Sequence, residues 1–218
     1  MKKMLSLLTV VGLLAIPAAS LADDGCLAYT GQFSGHADNG SGTGGSWAGG
    51  DTYTAYLTLD TTQDNPWYPW DSNKEYTAVL STTISSYTNF GGAQEVVDFG
   101  VASVDIYEDD VTAANYGNLS TFTDGTNILS GEAQNMIGDR VIIFGLPLAV
   151  TGVVVFDSGS GLGNLIDCTT GLVMNDFIDF TFASNPTGFE EAYDAEWKCC
   201  PTTSVESSAW GSVKALYR

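Results

Sequence analysis

Between Arg140 and Asp157 the chain reads V-I-I-F-G-L-P-L-A-V-T-G-V-V-V-F, with no charge and no side-chain amide. Half of these residues are β-branched (Val141, Ile142, Ile143, Val150, Thr151, Val153, Val154, Val155). Branching at Cβ restricts χ1 and suits a pleated sheet better than a helix. Gly145, Pro147 and Gly152 would interrupt a helix, whereas Gly145-Leu146-Pro147 makes a turn between strands. The run is also short of the roughly 20 apolar residues that a membrane helix needs. It reads as two adjacent core strands, buried on both faces, around which the other strands assemble.

The rest of the chain agrees with an all-β fold. Leu27 to His36 is a first strand, and Asp38 to Gly50 is a glycine- and serine-rich loop holding Trp47. Tyr53, Ala55, Leu57 and Leu59 then alternate with threonines and Tyr56, the period-2 signature of a half-buried strand. Glu75 to Phe90 forms a long strand, Gly91-Gly92 a hairpin turn, and Glu95 to Tyr107 the return strand. Within that return strand the apolar parity changes from Val97, Phe99 and Val101 to Val104 and Ile106, as a bulge requires. Val111 to Asn118 is expected to make a single helical turn, with strands at Leu119 to Thr123, Asn127 to Gln134, Leu165 to Cys168 and Leu172 to Ala183. Glu190 to Lys198 (E-E-A-Y-D-A-E-W-K) is expected to be a short amphipathic helix. The count is about ten antiparallel strands in one domain, a meander that closes as a barrel or packs as a two-sheet sandwich.

Both ends differ from this domain. Met1-Lys2-Lys3, the apolar stretch Met4 to Ile16 and the small residues Ser20 and Ala22 form a signal-peptide pattern over residues 1–22. The β domain then occupies 23–200, a linker 201–208, and a basic aromatic tail 209–218 (A-W-G-S-V-K-A-L-Y-R). The tail reads as a docking or sorting signal for export machinery, or as a plain terminus. Removal of residues 1–22 takes Lys2 and Lys3 and no acid, moving the formal charge from −19 to −21. Such an acidic surface repels nucleic acid and anionic lipid. The expected location is outside the cytoplasm (periplasm, cell surface or medium), with no membrane span once the signal is cut. In that setting the four cysteines, Cys26, Cys168, Cys199 and Cys200, point to disulfides. Of the three pairings, the vicinal Cys199–Cys200 ring is the most strained, and a zinc site lacks paired C-x-x-C knuckles.

Catalytic chemistry finds little support. The one histidine, His36, lies beside a glycine-rich loop, and no serine has a nucleophile-elbow context. Ser158 to Asn164 (S-G-S-G-L-G-N) lacks the lysine of a phosphate loop and reads as a hairpin loop. Loop carboxylates at Asp38, Asp60, Asp64, Glu108, Asp109 and Asp110 are candidate oxygen ligands for calcium, without an EF-hand pattern. Asn65 to Asp71 (N-P-W-Y-P-W-D) is the most unusual loop. Trp67, Tyr68 and Trp70 would form a stacking platform for sugar rings, with Asn65 and Asp71 bonding hydroxyls, or would cap one end of the core. The leading expectation is an exported, disulfide-containing, non-enzymatic protein with a structural or surface-interaction role. The alternatives are a binding module for carbohydrate or another small ligand, with calcium as an aid, and a carboxylate hydrolase.

Overall fold

The structure is a computed structural model that describes residues 29–38, 47–64, 66–110, 112–144, 146–166, 171–179, 186–189 and 191–199. Among the described residues nine strands carry the fold: β1 (Tyr29–Asp38), β2 (Thr52–Leu59), β3 (Glu75–Thr83), β4 (Ser86–Phe90), β5 (Gln94–Asp109), β6 (Thr126–Val141), β7 (Leu148–Ser158), β8 (Leu172–Asp179) and β9 (Glu191–Cys199). Every ladder is antiparallel, and each strand pairs with the next in sequence except β3, which skips β4. Two further pairings, β3 with β5 and β1 with β9, close eight of the strands into an up-and-down barrel. The ninth strand, β4, pairs only with the first half of β5, and its other edge meets no strand among the described residues.

Alternation decides what points inward. Tyr53, Ala55 and Leu57 on β2, Ala78 and Leu80 on β3, and Leu148, Val150 and Val154 on β7 are all buried. The longest strands, β5 and β6, can wrap the barrel because bulges re-aim their side chains. In β5 the register shifts on both sides of Gly100, which has φ +67°. Val97 and Phe99 therefore face inward before it, and Ala102, Val104 and Ile106 after it, while Val101 is 56% exposed. In β6 a shift between Gln134 and Ile137 surrounds Asn135, at φ 54°, so both Ala133 and Met136 reach the core.

An eight-stranded barrel has an interior just wide enough for side chains to fill. Trp67, Trp197, Tyr53, Tyr76, Tyr193 and Phe99 fill it here, all with under 2% of their surface exposed. Indoles from the loops stop both ends. At the upper end, where β2 and β5 begin, Trp47 packs on Tyr53 (5.6 Å between centroids) and edge-on to Phe99 (5.5 Å). At the lower end, where β1 begins and β2 finishes, Trp67 packs against Phe33 and Phe156. Trp67 also lies over Gly31, where a Cβ would come 2.2 Å from its Nε1, so only glycine admits the indole.

Several expectations change. Val141 to Phe156 holds one strand, not two: Val141 ends β6, Ile142–Phe144 is a 3-10 turn, and only β7 follows. Nor is it buried on both faces, since Ile143, Phe144, Leu146 and Val155 are exposed. The turn lies beyond the rim, where no layer of the described residues covers it. Glu190 to Lys198 is not a helix. Its described part is β9, whose Glu191, Tyr193, Ala195, Trp197 and Cys199 face inward with a period of two. The helix preference of Glu and Ala yields there to ladders with β1 on one side and β8 on the other. Glu75 to Phe90 divides at Ile84-Ser85 into β3 and β4. Leu119–Phe122 is a 3-10 turn and not a strand, and the described part of Val111 to Asn118 is not helical.

Candidate functional site

The aromatic loop is drawn together as a plug. Pro66 bridges to Thr30, and the Trp67 amide donates to the Thr30 carbonyl at 3.4 Å. Trp70 packs against Trp67 (5.0 Å), Tyr68 (4.5 Å) and Tyr76 (4.8 Å). Trp67 and Tyr68 are buried, so this face is turned into the barrel and not presented to a sugar ring. Asp71 is exposed, but its Oδ1 accepts from the Asn73 amide and side chain at 2.9 Å. Those bonds hold its carboxyl below the usual range. Asn65 lies outside the described residues.

The candidate calcium ligands are not brought together. Asp38 ends β1 at the upper end, whereas Asp60, Asp64 and the run Glu108-Asp109-Asp110 belong to the lower end. Asp60 Oδ1 accepts from Thr62 N (2.9 Å) and Oγ1 (2.6 Å). Glu108 binds Lys74 and accepts from Tyr76 Oη at 2.8 Å. Asp109 Oδ2 accepts from Thr112 N at 3.1 Å, and Glu75 accepts from Ala114 N. Glu75, Asp109 and Asp110 line one shallow pocket of about 190 Å³. Among the described residues no three metal-ligating side chains converge.

His36 stands on the outer face of β1, edge-on to Tyr116 at 4.7 Å and near Phe189. The segment around Tyr116 and the buried Phe122 folds over Tyr56 and forms a small second core outside the barrel. The histidine is thus part of an aromatic packing layer. In Ser158 to Asn164, the Gly161 amide donates to the Ile128 carbonyl and the Asn164 amide to the Gly161 carbonyl, both at 2.8 Å.

A different set of titratable groups meets inside the barrel. Asp176, 1% exposed, accepts from Tyr193 Oη at 2.6 Å and from Trp197 Nε1 at 3.4 Å, both on Oδ2. Its Oδ1 and the hydroxyl of Tyr53 have no hydrogen-bond partner among the described residues. Burial pushes the Asp176 carboxyl up to about 7, partly opposed by the bonds from Tyr193 and Trp197. Burial and the carboxylates of Glu191 and Asp176 likewise raise the Tyr53 hydroxyl, and burial leads the rise at Tyr193. This group is sealed from solvent. Its signal was present in the chain, because Asp176 shares parity with Leu172, Met174 and Ile178. Glu191 carried no such signal while its segment read as a helix.

Several exposed apolar side chains gather at the upper rim. Phe90 (56% exposed) ends β4, and Ile143 (62%), Phe144 (66%) and Leu146 (50%) belong to the β6–β7 connection. The Ile142 amide donates to the Ala93 carbonyl at 2.9 Å, tying that connection to the β4–β5 hairpin. Neither Ser86 to Ala93 nor Val141 to Ala149 contains a charged residue, in a chain with a net charge of −19. Cys199, at the lower end, is buried and is not a free thiol. Cys26, Cys168, Cys200, the signal pattern and the tail lie outside the described residues. Comparison with known proteins finds no matching family model, no similar curated protein and no similar solved structure.

Proposed function

We propose that this is an exported, non-enzymatic β-barrel that docks a protein partner on its apolar upper rim. The observation that carries the reading is the placement of Phe90, Ile143, Phe144 and Leu146 on two uncharged segments next to the edge of β4 that meets no strand among the described residues. Large apolar side chains grouped on one exposed surface mark interaction sites, and an open strand edge accepts an extended segment of another chain. A packed interior supports the same reading, because an incoming molecule must then be met from outside. The acidic remainder of the surface would steer approach toward the uncharged rim by repelling acidic molecules elsewhere. Export follows from the signal pattern at residues 1–22, and in that compartment Cys199 is proposed to bond to another of the four cysteines.

A photo-crosslinking residue placed at Phe144 in cells that export the protein tests this. One discrete adduct is expected at Phe144 and at Phe90, and none at the exposed lower-end residue Thr123. Phe144→Asp on a second rim label should abolish the adduct without moving the melting temperature, since Phe144 is exposed. Equal labelling at rim and control positions would remove the reading.

A further inference from the structure

The outer wall of the barrel carries a pocket of about 380 Å³ across β1, β9 and β8. That lies within the roughly 300–1,000 Å³ typical of small-ligand sites. Ladder register builds it in two rungs. Gln32, Glu196 and Asn175 stand side by side on the first, and Ser34, Asp194 and Phe177 on the second. All six belong to the outward parity, opposite the buried Phe33, Asp176 and Ala195. Asp60, whose amide donates to the Gln32 carbonyl at 2.9 Å, closes one side. Strands lie roughly 4.8 Å apart and alternate residues about 6.7 Å, so the two rungs cover about 10 by 7 Å.

We propose that this pocket binds a neutral carbohydrate. Phe177 is 49% exposed and offers an apolar face to ring C–H groups. Around it, the amides of Gln32 and Asn175 and the hydroxyl of Ser34 donate, while the carboxylates of Asp194, Glu196 and Asp60 accept. Vicinal hydroxyls, each both donor and acceptor, are satisfied by such a mixture. Other ligand classes fit less well. Three carboxylates repel an anion, and an apolar ligand would bury their charge without partners. A cation would find two of the three already engaged, Glu196 by Lys198 Nζ at 2.7 Å and Asp60 by Thr62. The site is independent of the apolar rim, so either proposal survives loss of the other.

The test is amide NMR of the whole protein titrated with maltohexaose, cellohexaose, xylohexaose and laminarihexaose, and separately with spermine. Expected are saturable shifts with at least one hexaose, confined to residues 32–34, 175–177 and 194–196. Phe177→Ala should weaken that binding about tenfold, and the rim variant Phe144→Asp should leave it unchanged. Absence of saturable shifts with every hexaose overturns the proposal. Shifts centred elsewhere, wild-type binding by Phe177→Ala, or spermine in place of the sugars on these residues would do the same.

Discussion

Replacing Asp176 by Asn tests the barrel interior most directly. The carboxyl has an ordinary pKa of 3.8 and is pushed to about 7 in the fold, chiefly by burial. Below about pH 4 both folded and unfolded chains hold this proton, and the residue exerts no pH-dependent penalty. Between there and pH 7 the unfolded chain has released the proton while the folded one keeps it. Stability therefore falls by about 1.36 kcal/mol per pH unit and levels off above 7. The whole penalty is on the order of 4 kcal/mol, undiscounted for solvent because the group is fully enclosed. The amide keeps an oxygen for Tyr193 and Trp197. Its NH2 replaces Oδ1, which has no hydrogen-bond partner among the described residues. It carries no charge at any pH. Urea unfolding of both proteins at intervals from pH 4 to 8 is the assay. The Asn variant should gain on the wild type steadily as pH rises and exceed it at pH 8. If the two curves stay parallel across that range, Asp176 does not carry a raised pKa and the account of the interior is wrong.

Other perturbations read other parts of the fold. Trp67→Ala empties the lower plug and should cost about 3–5 kcal/mol, measured by urea denaturation. An indole lying on the surface would leave the midpoint where it was. Gly31→Ala drives a methyl into Trp67 and should cost at least the ~1–3 kcal/mol of an overpacked core; a neutral result would mean that the indole is not seated there. Reducing the bridge proposed at Cys199 should lower stability by about 2–4 kcal/mol. Identical unfolding with and without reductant would show that no such bridge contributes.

How much of this was legible depended on how local the signal was. Alternation through Tyr53 to Leu59 marked β2 correctly, and the parity change in β5 announced its bulge. That bulge falls at Gly100, so Val101 belongs outside, one position from where parity alone placed it. Hydrophobicity was a poorer guide to burial: Ile143 and Phe144 look like core and sit in a turn beyond the last ladder. β9 was hidden because Glu, Ala and Lys favour a helix locally, and only its ladders with β8 and with β1, at the other end of the sequence, hold it extended. Barrel or sandwich was undecidable for the same reason, since closure rests on β1 meeting β9. Trp67 and Trp70 were identifiable as partners, but whether Trp67 faced a ligand or the core depended on Gly31 lying beneath it.

That closing ladder also governs when the fold can exist. Tyr29 pairs with Cys199 and Ala37 with Glu191, so the contacts that complete the ring join the two ends of the domain. Until β9 is available, β1 and β8 each lack a neighbour, and the chain holds two open edges of a sheet that cannot close. Pairings of such long sequence separation form slowly, on the millisecond-to-second scale of other β topologies. A chain emerging from its N-terminus would stay threadable until β9, the last of the described strands, had appeared. For the export route proposed here, premature locking is thus prevented by the order of the strands themselves.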